Sequence, residues 1–475
     1  MIVCVLIGCY GNMSHTQSTL QLAMNTEERD HKIKELIQKL KVKADSHKGK
    51  EDDVDYSSSL TTLNELIISI NNKSELVGLV PVILTGVIPH TTRHYWTNES
   101  SILAAKNILT YILKKCHCSS IPDLLIGRKN KSVPGVGVVS PYTPARPTEE
   151  VLPWLQEEDE VPVVEDEEEL LIGGGVMNEL LRILRRRLVE TEWKEHPNEK
   201  HTLMWCLRHL KHPHLSEYFN SFLPLLLLLI DDYEIYHKQL GLTGLCHLIA
   251  NTDSAELVQY GKADLIYDSI KKLLYFNKVD IINALHPALQ SLLVIMEGPQ
   301  PMEISQPRKW RKTDEVFVIL LQSMYTESKL SIRKAYIKHV CRYIECLGVF
   351  IIKYINKLLL IIFDYIEYPD YCGEETRKTS LTTLLTLMRY SWPRIPNHFE
   401  PILKSLIKLI SDLCPDKSVI PDDSNTQDVL GLIIDCLKVL NCCCHENSSA
   451  SYKMLLKDTE HAALRHCIAE ALDTV

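Results

Sequence analysis

From Val176 to Val475 the chain reads as one amphipathic segment after another, and its apolar residues recur every three or four positions, not every second one. That period lines them up on one face of an α-helix, whereas a strand would alternate its side chains across two faces. Phe399, Ile402, Leu403, Leu406, Ile407, Ile410 and Leu413 form the clearest stripe. Leu430, Ile433, Ile434, Leu437 and Leu440 form a second, and Ile266, Ile270, Leu273 and Leu274 a third. A helix with such a stripe has to bury it against a neighbour, so this pattern calls for an all-α assembly.

The spacing predicts helices near 177–191, 198–211, 215–230, 234–250, 254–260, 263–277, 280–297, 313–325, 329–347, 349–367, 374–391, 396–414, 425–445 and 449–472. Asp253 to Glu256 and Ser424 to Gln427 resemble capped helix starts, and Pro213, Pro369, Pro393 and Pro415 mark ends. Val349 to Ile366 is apolar almost all round, which predicts burial between neighbours. Successive helices joined by tight turns suggest antiparallel pairs stacked as an α-solenoid of the HEAT or armadillo type, with a repeat of about 40 residues. The competing architecture is an irregular two-domain bundle.

The expected organisation has four parts. Residues 1–59 are poorly ordered, with an apolar start over Met1 to Tyr10, a polar remainder from 11 to 59, and one helix over Glu27 to Val42. Residues 60–127 form an N-terminal helical region opened by a capping-box pattern at Thr62 and Glu65. Residues 128–175 hold six prolines, a closing Gly173-Gly174-Gly175 and the acidic tract, and read as a disordered linker. Residues 176–475 are the solenoid.

Charge is concentrated in one place. The net −9 comes from 52 basic against 61 acidic residues, and Glu157 to Glu169 alone supplies nine carboxylates with no Lys or Arg. The remainder is balanced. No basic stripe of the kind that tracks phosphates appears, so nucleic acid is not an expected partner. Arg185-Arg186-Arg187, the densest basic run, reads as a solvated helix face. No membrane partner is expected either: Phe222 to Ile230 is too short to span a bilayer, and Val349 to Phe363 is interrupted by Lys353, Asn356 and Lys357. The 15 cysteines lie among apolar helix residues, where a reduced thiol packs as a small hydrophobe, and predict a reducing compartment. The expected location is cytoplasm and nucleus.

Chemistry finds no foothold. Phosphate-cradling glycine loops and the G-x-S-x-G elbow are both missing from the sequence. Cys116-His117-Cys118 and Cys442-Cys443-Cys444-His445 carry metal-binding residue types, but structural zinc needs converging, spaced pairs. A helical metal hydrolase using these clusters is the enzymatic alternative; the expectation is no enzyme, no cofactor and no metal. His247 reads as a core histidine. Asp231 and Asp232 read as acids at a helix start and, with Tyr233, as a structural turn holding two helices.

Certain residues, in their order and spacing, resemble those of the Tti-two family. They are Trp193-Lys194-Glu195-His196-Pro197, Trp205, Leu215 to Ile230 leading into Asp231-Asp232-Tyr233, Gly241 with His247, Ser391-Trp392-Pro393-Arg394 before Leu403 to Leu413, and, in the N-terminal half, Tyr95-Trp96-Thr97 and Cys116 to Leu125. The resemblance implies a non-catalytic HEAT-like scaffold in the triple-T complex, binding Tti-one directly alongside Tel-two. Indirect partners would be the ninety-kilodalton heat-shock chaperone and the phosphatidylinositol-3-kinase-related kinases whose maturation and stability the complex supports. DNA-damage and TOR signalling would follow from those kinases. Candidate partner-binding residues are Trp193, Trp392 and Arg394, since Trp and Arg dominate interface energetics; the alternative places both tryptophans in the core. A transport-type solenoid adaptor carrying protein cargo is the second functional reading.

Overall fold

The structure is a computed structural model that describes residues 26–42, 56–127, 175–189, 194, 197–298, 309–370, 373–416, 418–419, 421 and 423–472. Helices are the only regular elements among them. Contacts divide the described chain into two units, one ending at Leu226 and one beginning at Leu227. The acidic tract and the linker before Gly175 lie outside the described residues.

The first unit contains α1 (Thr26–Lys39), α2 (Tyr56–Ile68), α3 (Lys73–Val87), α4 (Glu99–Lys115), α5 (Ile121–Ile126), α6 (Met177–Val189), α7 (Asn198–His209) and the start of α8 (Leu215–Asp231). α2 begins six residues before the predicted capping box. Thr62 is interior, and its hydroxyl donates to the Ser58 carbonyl at 2.9 Å. The pattern misleads because a threonine hydroxyl can bond back along a helix as well as cap one. Asn198 ties distant segments together: its Oδ1 accepts the Val42 N–H at 2.8 Å and its Nδ2 donates to the Leu40 carbonyl at 3.3 Å. Gly127 ends α5 at φ 72°, and the chain re-enters the description at Gly175, φ 68°. The Val176 N–H donates to the Leu124 carbonyl at 3.2 Å, so the 128–174 excursion starts and finishes at one point. A Cβ at Gly175 would lie 2.1 Å from the Leu125 carbonyl oxygen, which demands glycine there.

The second unit is the regular one. After the end of α8 come α9 (Ile235–Ala250), α10 (Ser254–Gln259), α11 (Lys262–Lys271), α12 (Val279–Glu297), α13 (Lys312–Thr326), α14 (Leu330–Leu347), α15 (Ile355–Glu367), α16 (Glu375–Ser391), α17 (Phe399–Leu413), α18 (Ser424–Asp458) and α19 (Ala462–Leu472). Alternate helices pack side by side: α9 on α12, α12 on α14, α14 on α16 and α16 on α18 form one layer. α13 on α15 and α15 on α17 form the other, and each of these packs antiparallel on the helix that follows it. This is the two-layer α-solenoid of HEAT-like pairs.

α17 shows why the stripes matter. Ile402, Leu403, Leu406, Leu409 and Ile410 are buried, Ile407 and Leu413 sit at the rim, and each buried side chain contributes about 2 kcal/mol. The predicted helix starts are right at Asp253, whose carboxylate accepts the Ala255 N–H, and one residue late at Ser424, where Asp423 is the cap. Val349 to Ile366 is split by Gly348–Tyr354, a 3₁₀ segment, and it leaves Val349 and Leu360 exposed. α18 continues past the predicted break at 445–449, but the Tyr452 hydroxyl donates to the Leu437 carbonyl at 3.1 Å. A straight helix would hold those residues about 22 Å apart, so α18 bends back on itself between them.

One expectation needs correcting. Val279–Glu297 and Leu330–Glu367 are long and apolar enough to cross a membrane, with mean hydropathies of 1.5 and 2.1 in their most apolar windows. The first has 61% of that window buried among other helices. The second is interrupted at Gly348, φ 55°.

Candidate docking surface

The turns inside three helix pairs of the second unit, those joining α8 to α9, α13 to α14 and α15 to α16, are each closed by a buried cation. A helix ends with carbonyls that have no partner in the helix and a partial negative charge. Lys238 Nζ donates to the Ile230 carbonyl at the end of α8 at 3.0 Å. Arg333 Nε donates to Glu327, just past α13, at 2.8 Å. Arg377 donates to Ile366 at 2.8 Å and Glu367 at 3.2 Å, the end of α15. Arg333 also reaches the next pair, pairing with Asp364 at 2.8 Å and lying 4.8 Å from the Tyr365 ring and 5.2 Å from the Tyr368 ring. Lys238 lies 5.4 Å from Phe276 in the same way. This is the repeat signature: a cation in the opening turns of the second helix of a pair, with Arg333 and Arg377 44 residues apart. Ile282 occupies the corresponding place in α12, so the period is broken in sequence.

Asp231, Asp232 and Tyr233 belong to the first of these turns. Asp231 is the last residue of α8 and not a helix start. Its charge there opposes the helix dipole, and an exposed ion pair with Lys272 at 2.5 Å offsets it. Asp232 is buried; its Oδ1 accepts the Tyr233 N–H at 2.8 Å and its Oδ2 meets His237 Nδ1. Tyr233 stands out into solvent, 75% exposed. Asp232, Glu234 and His237 are the one grouping of metal-ligand type among the described residues. Its polar atoms bond to one another and to backbone, which is how a turn is held.

The opposite edge, between one pair and the next, is different. Trp392 is 62% exposed at the start of the 3₁₀ segment Trp392–His398, so the core alternative fails for it. Arg394 is exposed beside it, while Ile395 anchors the segment at 0%. The segment packs on α16, α17 and α18. One pair earlier, Val349 and Lys353 are exposed on Gly348–Tyr354, and Lys353 Nζ lies 4.3 Å from the ring of Trp310, itself 59% exposed. Trp193 lies outside the described residues.

Other sequence candidates do not converge. Cys116 and Cys118 are buried, and burial pushes their thiols up to about 11 and about 12. His117 turns away to Lys73 at 2.9 Å. Cys442, Cys443 and Cys444 are consecutive on α18 and so point in different directions. His247 is half-buried, not core. Tyr95-Trp96-Thr97 is a turn: the Thr97 hydroxyl accepts the His94 N–H at 2.7 Å, and Trp96 Nε1 donates to the Pro89 carbonyl at 3.2 Å. A buried polar seam between α12 and α14 gave no sequence signal. His286 and His339 stack at 5.3 Å, His286 Nδ1 meets the Tyr343 hydroxyl at 3.0 Å, and Gln290 donates to the His339 carbonyl at 2.8 Å. Burial holds His286 down to about 3 and His339 well below the usual histidine range.

These features define an all-α helical-repeat protein that exposes tryptophans and cations on the edge between its helix pairs. Residues 182–372 match the family model described as the Tti2 family, so the resemblance carried by Trp205, Asp231-Asp232-Tyr233 and Gly241 stands over that region. The chain is similar to TELO2-interacting protein 2 of Homo sapiens, 28% identical over 75% of this chain and 62% of that protein. The Mus musculus protein of the same name is 26% identical over 80% of this chain and 66% of its own length. This chain thus spans just under two thirds of the length of those two relatives. Among solved structures, the karyopherin Kap121p bound to the extreme C-terminus of the protein phosphatase Cdc14p overlays 88% of this chain and 36% of its own, at 12% identity and a TM-score of 0.47.

Proposed function

We propose that the chain is a non-catalytic helical scaffold subunit of a triple-T co-chaperone assembly. In this reading it binds Tti-one directly, joins Tel-two, and works with the ninety-kilodalton heat-shock chaperone in cytoplasm and nucleus to support the maturation and stability of phosphatidylinositol-3-kinase-related kinases. The observation that carries it is the family match over 182–372, with relatives named as TELO2-interacting proteins. The fold agrees: stacked helix pairs expose long edges, and the polar groups of the Asp232 turn are engaged in holding helices together.

Affinity purification of the tagged full chain from its native cells, followed by mass spectrometry, tests this. Near-equimolar Tel-two and Tti-one are expected. Their absence, or recovery of a small GTPase with transport factors in their place, overturns it.

A further inference from the structure

The edge between helix pairs of the second unit carries an unbalanced charge. Three described segments make up its middle: 309–312, 348–354 and 392–398. They hold Lys309, Arg311, Lys312, Lys353 and Arg394 and not one Asp or Glu. The turns on the opposite edge hold Asp232, Glu234, Glu327, Asp370 and Glu374 against Lys278 and Lys329.

The three basic segments are neighbours. The Tyr354 hydroxyl donates to Asp314 in the first turn of α13 at 2.7 Å, which brings 348–354 against the start of that helix. Both 348–354 and 392–398 pack on α16. Apolar groups lie among the cations: Trp310, Val349 and Trp392 are all exposed. Arg311 and Lys312 are engaged within the unit, with the Glu297 carbonyl and with Asp264. Lys309, Lys353 and Arg394 are exposed. Asp314 and Glu315 follow within three residues of Lys312, but Asp314 accepts from Tyr354 and Glu315 pairs with Lys271 at 2.6 Å; Glu345 and Glu400 adjoin the other two segments.

We infer that this edge is a docking site for an acidic segment of a partner protein, with Lys309, Lys353 and Arg394 facing its carboxylates and Trp310, Val349 and Trp392 seating its apolar side chains. Charge complementarity selects the occupant, because three exposed cations, beside carboxylates Asp314 and Glu315 that are already bonded within the unit, steer and retain an anionic partner. Tryptophan and arginine in one patch supply the anchoring energy such sites need. A protein segment fits better than nucleic acid. Three exposed cations are too few to form the continuous basic track that phosphates require. The inference rests on the scaffold reading in that both need an exposed docking edge, and it goes further in naming the edge and the partner's chemistry.

Fluorescence anisotropy of the full chain with a labelled peptide of about 15 residues, in which Glu and Asp are interrupted by Leu every third or fourth position, tests it. Saturable binding is expected, weakening roughly tenfold in Lys353→Glu with Arg394→Glu and several-fold in Trp392→Ala, while Lys278→Glu with Lys329→Glu on the other edge leaves it unchanged. All the substituted side chains are exposed, so thermal melts should stay at the parent value and confirm folding. No saturable binding, or equal loss from both edges, overturns the inference. So does tighter binding of a thymidine oligonucleotide that shows the same loss in the edge variants. Failure here with Tti-one and Tel-two still co-purifying would leave the scaffold reading standing; loss of both proteins with peptide binding intact would do the reverse.

Discussion

The two edges of the second unit are made from the same residue types, and the difference lies in where each cation falls relative to a helix end. At the turns within a pair, Lys238, Arg333 and Arg377 are drawn inward because the carbonyls ending α8, α13 and α15 need donors. On the edge between pairs, Lys353 and Arg394 remain outside among exposed Trp310 and Trp392. One edge holds helix pairs together and the other leaves its cations and tryptophans in solvent. Residue type alone does not separate the two roles.

The largest effect is expected from Arg377→Met, which leaves the Ile366 and Glu367 carbonyls without their donors at a site only 3% exposed. A loss of about 3 kcal/mol in denaturant titration is expected, and a loss below about 0.5 would erase the structural character of that edge. Asp232→Ala removes the acceptor of the Tyr233 N–H and the carboxylate facing His237; about 2 kcal/mol is expected in the same titration.

Acid gives a smaller step per unit of pH. His286 and His339 are held neutral in the fold, so below the ordinary value of 6.5 the unfolded chain takes up protons that the folded chain refuses. Their contribution is complete above 6.5 and is lost as pH falls from there toward about 3, the value to which His286 is depressed. About 1 kcal/mol per histidine should go over the first unit, seen as a falling melting temperature between pH 6.5 and 5.5. His286→Phe should flatten that fall; an unchanged slope would remove His286 from the account. The smallest effect belongs to Trp392→Ala, within about 0.5 kcal/mol of the parent in a thermal melt because the ring is mostly in solvent. A large loss there would make both edges structural.

Much of the fold was legible because helix period and helix ends are local properties. The stripe on α17, the cap at Asp253 and the break between α17 and α18 follow from neighbours within a few residues. The failures came where one local pattern serves two ends. Thr62 bonds back along α2 instead of capping it, and Asp231 closes α8 instead of opening α9. The docking edge was half legible: Trp392 and Arg394 stood out by type, but Trp310 and Lys353 did not, because they lie 43 residues apart in sequence and meet only when Gly348–Tyr354 folds against the start of α13.

By itself the sequence determined an all-α chain of amphipathic helices, because burying a stripe every 3.6 residues leaves no other regular structure open. Which cations turn inward, which histidines stack without charge and which tryptophans face solvent was decided only by tertiary structure. Those outcomes depend on the helix end or neighbouring layer that packing brings near each side chain, and residues more than a few positions apart carry no local trace of that.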